Sequence, residues 1–196
     1  MKNEKLFFAR AHLSVSEPEK FPTMKFILPC PSTPFPRRHR KVQAVPKIYL
    51  DASIFRACFD SRLREDSLRL LEALRRGKAL VLYGQITRLE LDREPPNIRD
   101  LAAALPEDSL LDAPFNPEAK GLMDAYLRRI GEELGLSDEP AHMATAAVHG
   151  ADYFLSWNIH FFQNSSFYNR INIESGYPFV VVHNTGDFLV KIGKGF

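Results

Sequence analysis

The stretch Lys47–Phe55, KIYLDASIF, is four residues of compact strand character running straight into an aspartate, with Ser53 two positions on. A short apolar run that can bury both its faces belongs to a parallel sheet covered by helices on both sides. Working outward, ALVLY (79–83), DYFLSW (152–157) and FVVVH (179–183) repeat the pattern. Between them lie segments of helical spacing. One starts near Glu65 with Leu68, Leu71 and Leu74 on a stripe and Gly77 as its stop. A second is QITRLELDRE (85–94), broken from the strand before it by Gly84 and ended by Pro95-Pro96, and a short helix is expected over 97–105. Asn116-Pro117 opens a helix to about Leu134, with Met123, Tyr126, Leu127 and Ile130 on its apolar face and Gly135 closing it. Ser137 or Asp138 can cap the next helix, which Gly150 ends, and Thr185 can cap a last one. Strands alternating with helices predict an α/β fold: a three-layer α/β/α domain with a central parallel sheet of about four strands.

The chain has 196 residues, 45% hydrophobic and 26% charged, which suits one ordinary domain with a short appendage. Residues 1–46 hold seven of the 14 prolines, nine Lys/Arg and three Glu. They read as a Pro-rich basic extension, expected to be disordered, and 47–196 as the domain. Met24 offers an alternative start, and Arg37, Arg38, Arg40 and Lys41 offer charge to a phosphate backbone. The remainder carries 17 basic and 21 acidic residues, so its bulk charge does not argue for a nucleic-acid partner. No stretch approaches the roughly 18–20 apolar residues of a membrane span. The first residues also lack the pattern of a secretory signal, and a cytoplasmic protein is expected. Cys30 and Cys58 form no CxxC, which argues against a disulfide framework or a structural zinc site.

Ligands of parallel sheets sit at the carboxyl ends of the strands, so the residues just past each strand carry the functional expectation. Asp51 ends the first strand, with Ser53 beside it. Glu90 lies on the helix after the second strand, Glu139 opens the helix before the third, and Asn158 follows the third directly. Three carboxylates sharing a cleft repel one another unless a hard cation neutralises them. Mg²⁺ or Mn²⁺ prefers such oxygen ligands and commonly meets phosphate oxygens as well. Each residue also has a purely structural use. Asp51 can cap its turn, Glu90 can face solvent, Glu139 suits a helix N-terminus, Asn158 can end a strand, and Asp152 can cap the turn 150–153. His142 and His149 share a helix face and read as packing residues, Trp157 as core, and Arg88, Arg93, Arg128 and Arg129 as solvated helix arginines.

IYLDASIF, ITRLELDRE, DEPAHMATAAVHGADYFLSWN and FVVVHNTGDFL resemble, in order and spacing, the PIN domain family, which includes the VapC-like toxin ribonucleases. The resemblance spans about residues 47–190. It implies a metal-dependent endoribonuclease that hydrolyses RNA phosphodiester bonds, with Mg²⁺ or Mn²⁺ as cofactor. Asp51, Glu90 and Glu139 would be the catalytic acids, the same three with Asn158 the metal ligands, and Ser53 a supporting hydroxyl. For partners it implies RNA, an antitoxin protein and a homodimer. Glu139 stands where the family usually has Asp, and Asn158 where many members have a further Asp. Those departures leave a second expectation, a catalytically weakened PIN-fold module that binds RNA or a protein without cutting. The chain has no Asp-x-Asp phosphatase motif, GxSxG elbow or GxxxxGK[ST] loop.

Overall fold

The computed structural model describes residues 45–130 and 138–193. The extension expected over 1–46 therefore lies, as far as Ala44, outside the described residues, as do Cys30, Leu134, Gly135 and Ser137. Five short strands form the sheet: β1 Lys47–Leu50, β2 Leu80–Gly84, β3 Leu110–Ala113, β4 Tyr153–Leu155 and β5 Val181–His183. Eight helices connect and cover them: α1 Ala52–Ala57, α2 Arg64–Arg75, α3 Gln85–Leu91, α4 Pro96–Ala103, α5 Pro117–Ile130, α6 Glu139–Val148, α7 Ile159–Glu174 and α8 Thr185–Gly193. All pairings are parallel, in the order β3-β2-β1-β4-β5.

Alternation along each strand sorts side chains into two cores. Ile48, Leu50, Val81, Tyr153 and Leu155 pack with Ile54, Leu70, Leu74, Ile98 and Phe188 on one face. Tyr49, Leu82 and Phe154 pack with Tyr126, Met143, Phe161 and Tyr168 on the other. Helices α1, α2, α4 and α8 thus cover the first face and α5, α6 and α7 the second, which is the three-layer α/β/α arrangement.

The sheet has one strand more than the four expected. Its β3 is an edge strand of four residues, LLDA, with only Ala113 buried, so it lacks the apolar run that marks the inner strands. Two helices also escaped the sequence pattern. The first, α1, is less than two turns long. The second, α7, turns polar residues inward: Asn169 brackets Val180 with two backbone hydrogen bonds of 2.7 and 2.9 Å, and Asn172 accepts from Tyr126 Oη. In the two expected stripes Leu71, Leu74 and Tyr126 are buried, but Leu68 and Leu127 are exposed, and Leu70 is buried in addition. Asp152 does not cap its own turn; its carboxylate accepts from the Lys47 amide at 2.8 Å and so fixes the entry to β1. Gly77 and Gly150 do stop their helices, both with left-handed φ, 69° and 71°.

Gly84, at the end of β2, is required by a different constraint. A β-carbon there would lie 2.2 Å from the Tyr49 hydroxyl oxygen, because the Tyr49 ring from β1 crosses directly over it. Substitution Gly84→Ala should lower unfolding free energy by about 1–3 kcal/mol, the usual range for overpacking a core. In helix α5, where a β-carbon at Gly121 meets nothing within 4 Å, Gly121→Ala should raise it by up to about 1 kcal/mol. Urea unfolding of the two variants beside the parent measures both signs.

Candidate metal and phosphate site

Strand order sets the position of the site. The chain runs outward from β1 through β2 to β3, then returns to place β4 on the other side of β1. The crevice at the carboxyl ends of β1 and β4 is therefore a topological switch point, where parallel sheets bind ligands. A cavity of about 370 Å³ opens there. Its lining includes Asp51, Ser53, Glu90, Glu139 and Asn158, so the structure brings together all five residues singled out from the sequence, and adds Arg56, Asp138, His142 and Trp157.

Asp51 follows β1 and is the N-cap of α1, its side chain accepting from the Ser53 amide at 3.0 Å. Ser53 Oγ donates to the same oxygen. The other carboxylate oxygen accepts from Ser156 Oγ at 2.6 Å. Both serines also hold the loop after β4: Ser53 Oγ accepts from the Trp157 amide at 2.9 Å, and Ser156 Oγ from the Asn158 amide at 2.9 Å. Burial raises the Asp51 carboxyl above the usual range, against the opposing hydrogen bonds from Ser156 and Ser53.

Glu90 lies near the end of α3, on the side of the helix opposed to solvent-facing Asp92. One oxygen accepts from the Ala52 amide at 3.3 Å, and the other lies 3.4 Å from His142 Nε2. Burial alone would raise its carboxyl, but His142, the Ala52 amide and Arg56 together outweigh it and hold the group below the usual range. Glu139 is the first residue of α6 and accepts from Asn158 Nδ2 at 3.2 Å. Asn158 Oδ1 meanwhile caps α7, accepting from the His160 amide at 3.0 Å. Asp138 stands at the N-cap position of α6 without a side-chain capping bond.

Two residues read as packing belong to this cavity. His142 is buried, yet both its nitrogens face polar groups; the signal was its spacing, one turn after Glu139 on the same helix. Trp157 is only half-buried and is fixed by its indole N–H, which donates to Ser67 Oγ at 3.1 Å. Ser156 went unread, although its place directly after β4, the neighbour of β1, marked it. His149 stays outside the site and contacts Pro114 O at 2.9 Å.

The lining suits a hard cation in kind. Four acidic side chains face a single guanidinium, that of Arg56, and burial penalises the charge on Asp51, a condition that a divalent ion relieves. Among the described residues, no group of three or more His, Cys, Asp or Glu is placed so as to hold a metal ion. The cleft thus offers the donor types of a hard cation without gathering three of them around one point.

No family model matches the sequence, and no curated protein does. Among solved structures, the chain is similar to VapBC2 from Rickettsia felis bound to a DNA fragment from its promoter, at 15% identity over 70% of this chain and 98% of that chain, with a TM-score of 0.48. It is similar also to FitAB bound to the IR36 DNA fragment, at 18% identity over 70% of this chain and 94% of that one, with a TM-score of 0.43. The α/β/α fold that the PIN resemblance implies is the fold seen. Among the described residues, no helix is long and apolar enough to cross a membrane.

The two carboxylates should affect stability with opposite signs in metal-free protein. Asp51, raised on folding, costs nothing below its unfolded pKa of about 3.9, and its cost grows as pH rises toward its folded value. Glu90, lowered on folding, contributes stability above its unfolded pKa and loses it as pH falls through the folded one. In EDTA at pH 7, Asp51→Asn should raise the melting temperature and Glu90→Gln lower it, with the Asp51→Asn gain disappearing below about pH 4. Thermal melts across pH 3.5–8 check both.

Proposed function

We propose that the chain is a Mg²⁺- or Mn²⁺-dependent endoribonuclease of the PIN type, acting in the cytoplasm as the toxin of a toxin–antitoxin pair. The observation that carries this reading is the convergence of Asp51, Glu90 and Glu139, from three separate elements, on one cleft at the switch point of the sheet. The PIN resemblance supplies the substrate class, the antitoxin partner and the homodimer.

The three carboxylates would hold the cation, with the remaining lone pair of Asn158 Oδ1 as a fourth oxygen. A bound ion of this kind lowers the pKa of a coordinated water and neutralises charge on phosphoryl oxygens. The chain's own residues do the positioning. Ser53 and Ser156 fix both oxygens of Asp51, the Ala52 amide and His142 fix Glu90, and Asn158 orients Glu139. Arg56, partly exposed and paired with Glu94 at 3.3 Å, offers the positive charge of the cleft to a phosphate entering it.

A second reading, a PIN-fold module that binds without cutting, is favoured because no group of three or more His, Cys, Asp or Glu among the described residues is placed to hold a metal, and by the capping duty of Asn158. Cleavage of a mixed structured and single-stranded RNA pool, run with Mg²⁺, with Mn²⁺ and with EDTA, separates the two. The nuclease reading expects metal-dependent cutting that Asp51→Asn reduces more than about 100-fold, beyond the roughly 10–100-fold cost of losing an outer partner. Folded protein that cuts with neither metal supports the binding module, and cutting that survives Asp51→Asn overturns the site.

A further inference from the structure

We propose that Tyr49 and His142 form a buried positioning pair that holds the Glu90 carboxylate in its ligating orientation. The proposal rests on the reading of Glu90 as a cation ligand.

The imidazole of His142 is 2% exposed and walled by aromatic rings. Tyr49, Phe154 and Phe161 meet it nearly edge-on, with centroids at 5.7, 6.3 and 6.1 Å and interplanar angles of 78°, 88° and 84°. Its plane is therefore set by packing. One nitrogen, Nδ1, lies 3.0 Å from the Tyr49 hydroxyl. The other, Nε2, is buried and makes no hydrogen bond among the described residues; the acidic oxygen beside it is Glu90 Oε1, at an ion-pair distance of 3.4 Å. The Tyr49 ring is fixed in turn, stacked on Phe154 at 5.2 Å and lying over the bare backbone of Gly84.

The hydrogens can be placed by elimination. Thr87 has one hydroxyl hydrogen and donates it to Leu50 O at 2.8 Å, leaving its oxygen as an acceptor 3.4 Å from Tyr49 Oη. If His142 is neutral, Tyr49 donates to Nδ1 and the ring hydrogen sits on Nε2. If His142 is charged, Nδ1–H donates to Tyr49, which donates to Thr87, and Nε2 again carries a hydrogen. Both assignments leave a hydrogen on Nε2, the ring nitrogen next to Glu90. The remaining tautomer would set a lone pair against a carboxylate in a buried place, an arrangement the interior penalises.

The placement of the network argues that it serves the acids and not packing alone. Tyr49 stands two residues before Asp51 on β1, Thr87 three before Glu90 on α3, and His142 three after Glu139 on α6. Each element that delivers an acid to the cleft thus also delivers one member of the network. An apolar side chain would fill the aromatic box around position 142 without leaving a polar group to satisfy. Outer partners of this type set the orientation of metal-ligating groups, and their loss typically costs about 10–100-fold in metal affinity.

The test is Mn²⁺ affinity, measured by calorimetry or by the paramagnetic resonance of free Mn²⁺, with metal-free melting curves as the control for folding. Tyr49→Phe keeps the ring stack and removes only the hydroxyl, and should weaken Mn²⁺ about 10-fold. His142→Leu should weaken it further, toward 100-fold, while His142→Gln, which keeps an N–H near the Nε2 position, should restore most of the loss. Folded Tyr49→Phe that binds Mn²⁺ as the parent does overturns the pair, and Tyr49→Phe decides alone if His142→Leu fails to fold. Parent protein that binds no Mn²⁺ overturns instead the underlying reading of Glu90 as a ligand.

Discussion

A carboxylate buried at the end of the central strand is the constraint around which this domain is arranged. Asp51 is only 5% exposed, and an unpaired charge at that depth would be severely penalised. The fold answers with donors from two directions. Its own helix supplies the Ser53 amide and hydroxyl, and the loop after β4 supplies Ser156. Those bonds lock together the two strands that flank the switch point, so the crevice and the carboxylate are built by the same contacts. A residual cost of burial remains, which holds the Asp51 carboxyl above the usual range.

Around that centre, the remaining acids are each held by a different device. Glu90 is steadied by a backbone amide and an imidazole, while Glu139 is met by the amide of Asn158. Asn158 also caps α7 through its carbonyl, so a change there alters a helix start and the cleft together. A Glu at position 139 reaches one methylene further than the Asp usual in the resembling family. The structure gives that longer arm an anchor, since its oxygen ends on Asn158 in place of a second acid.

The inner strands and the acids beside them were legible in the sequence because burial on both faces and a polar residue at the strand end leave a local signature. Asp51, Ser53 and Asn158 carry it, Glu90 and Glu139 were placed on the helices that follow β2 and precede β4, and all five line one cavity. What escaped depends on partners distant in sequence. His142 looks like packing until Tyr49, 93 residues earlier, is seen at its Nδ1. The edge strand LLDA is paired on one side only and needs no continuous apolar run. Helix α7 mixes Asn169 and Asn172 with Phe161, Tyr168 and Ile171 on its inner face, the two amides meeting the Val180 backbone and the Tyr126 hydroxyl, which breaks up its apolar stripe. Asp152 misled for a similar reason, since its partner is the amide of Lys47.

The pairing of β1 with β4 joins residues about a hundred positions apart, as Ile48 faces Tyr153 and Ser156 reaches Asp51. Contacts of such separation form late, because the closing entropy of the intervening chain must be met first. A ribosome can release β1, β2 and β3 as a neighbouring parallel unit well before β4 emerges. Throughout that interval Asp51 has its helix cap but neither Ser156 nor the opposing wall of the crevice. The cleft thus comes into being only once β4 and Ser156 have been made, and a chain interrupted before them carries the acids of the first half without a place for them to act.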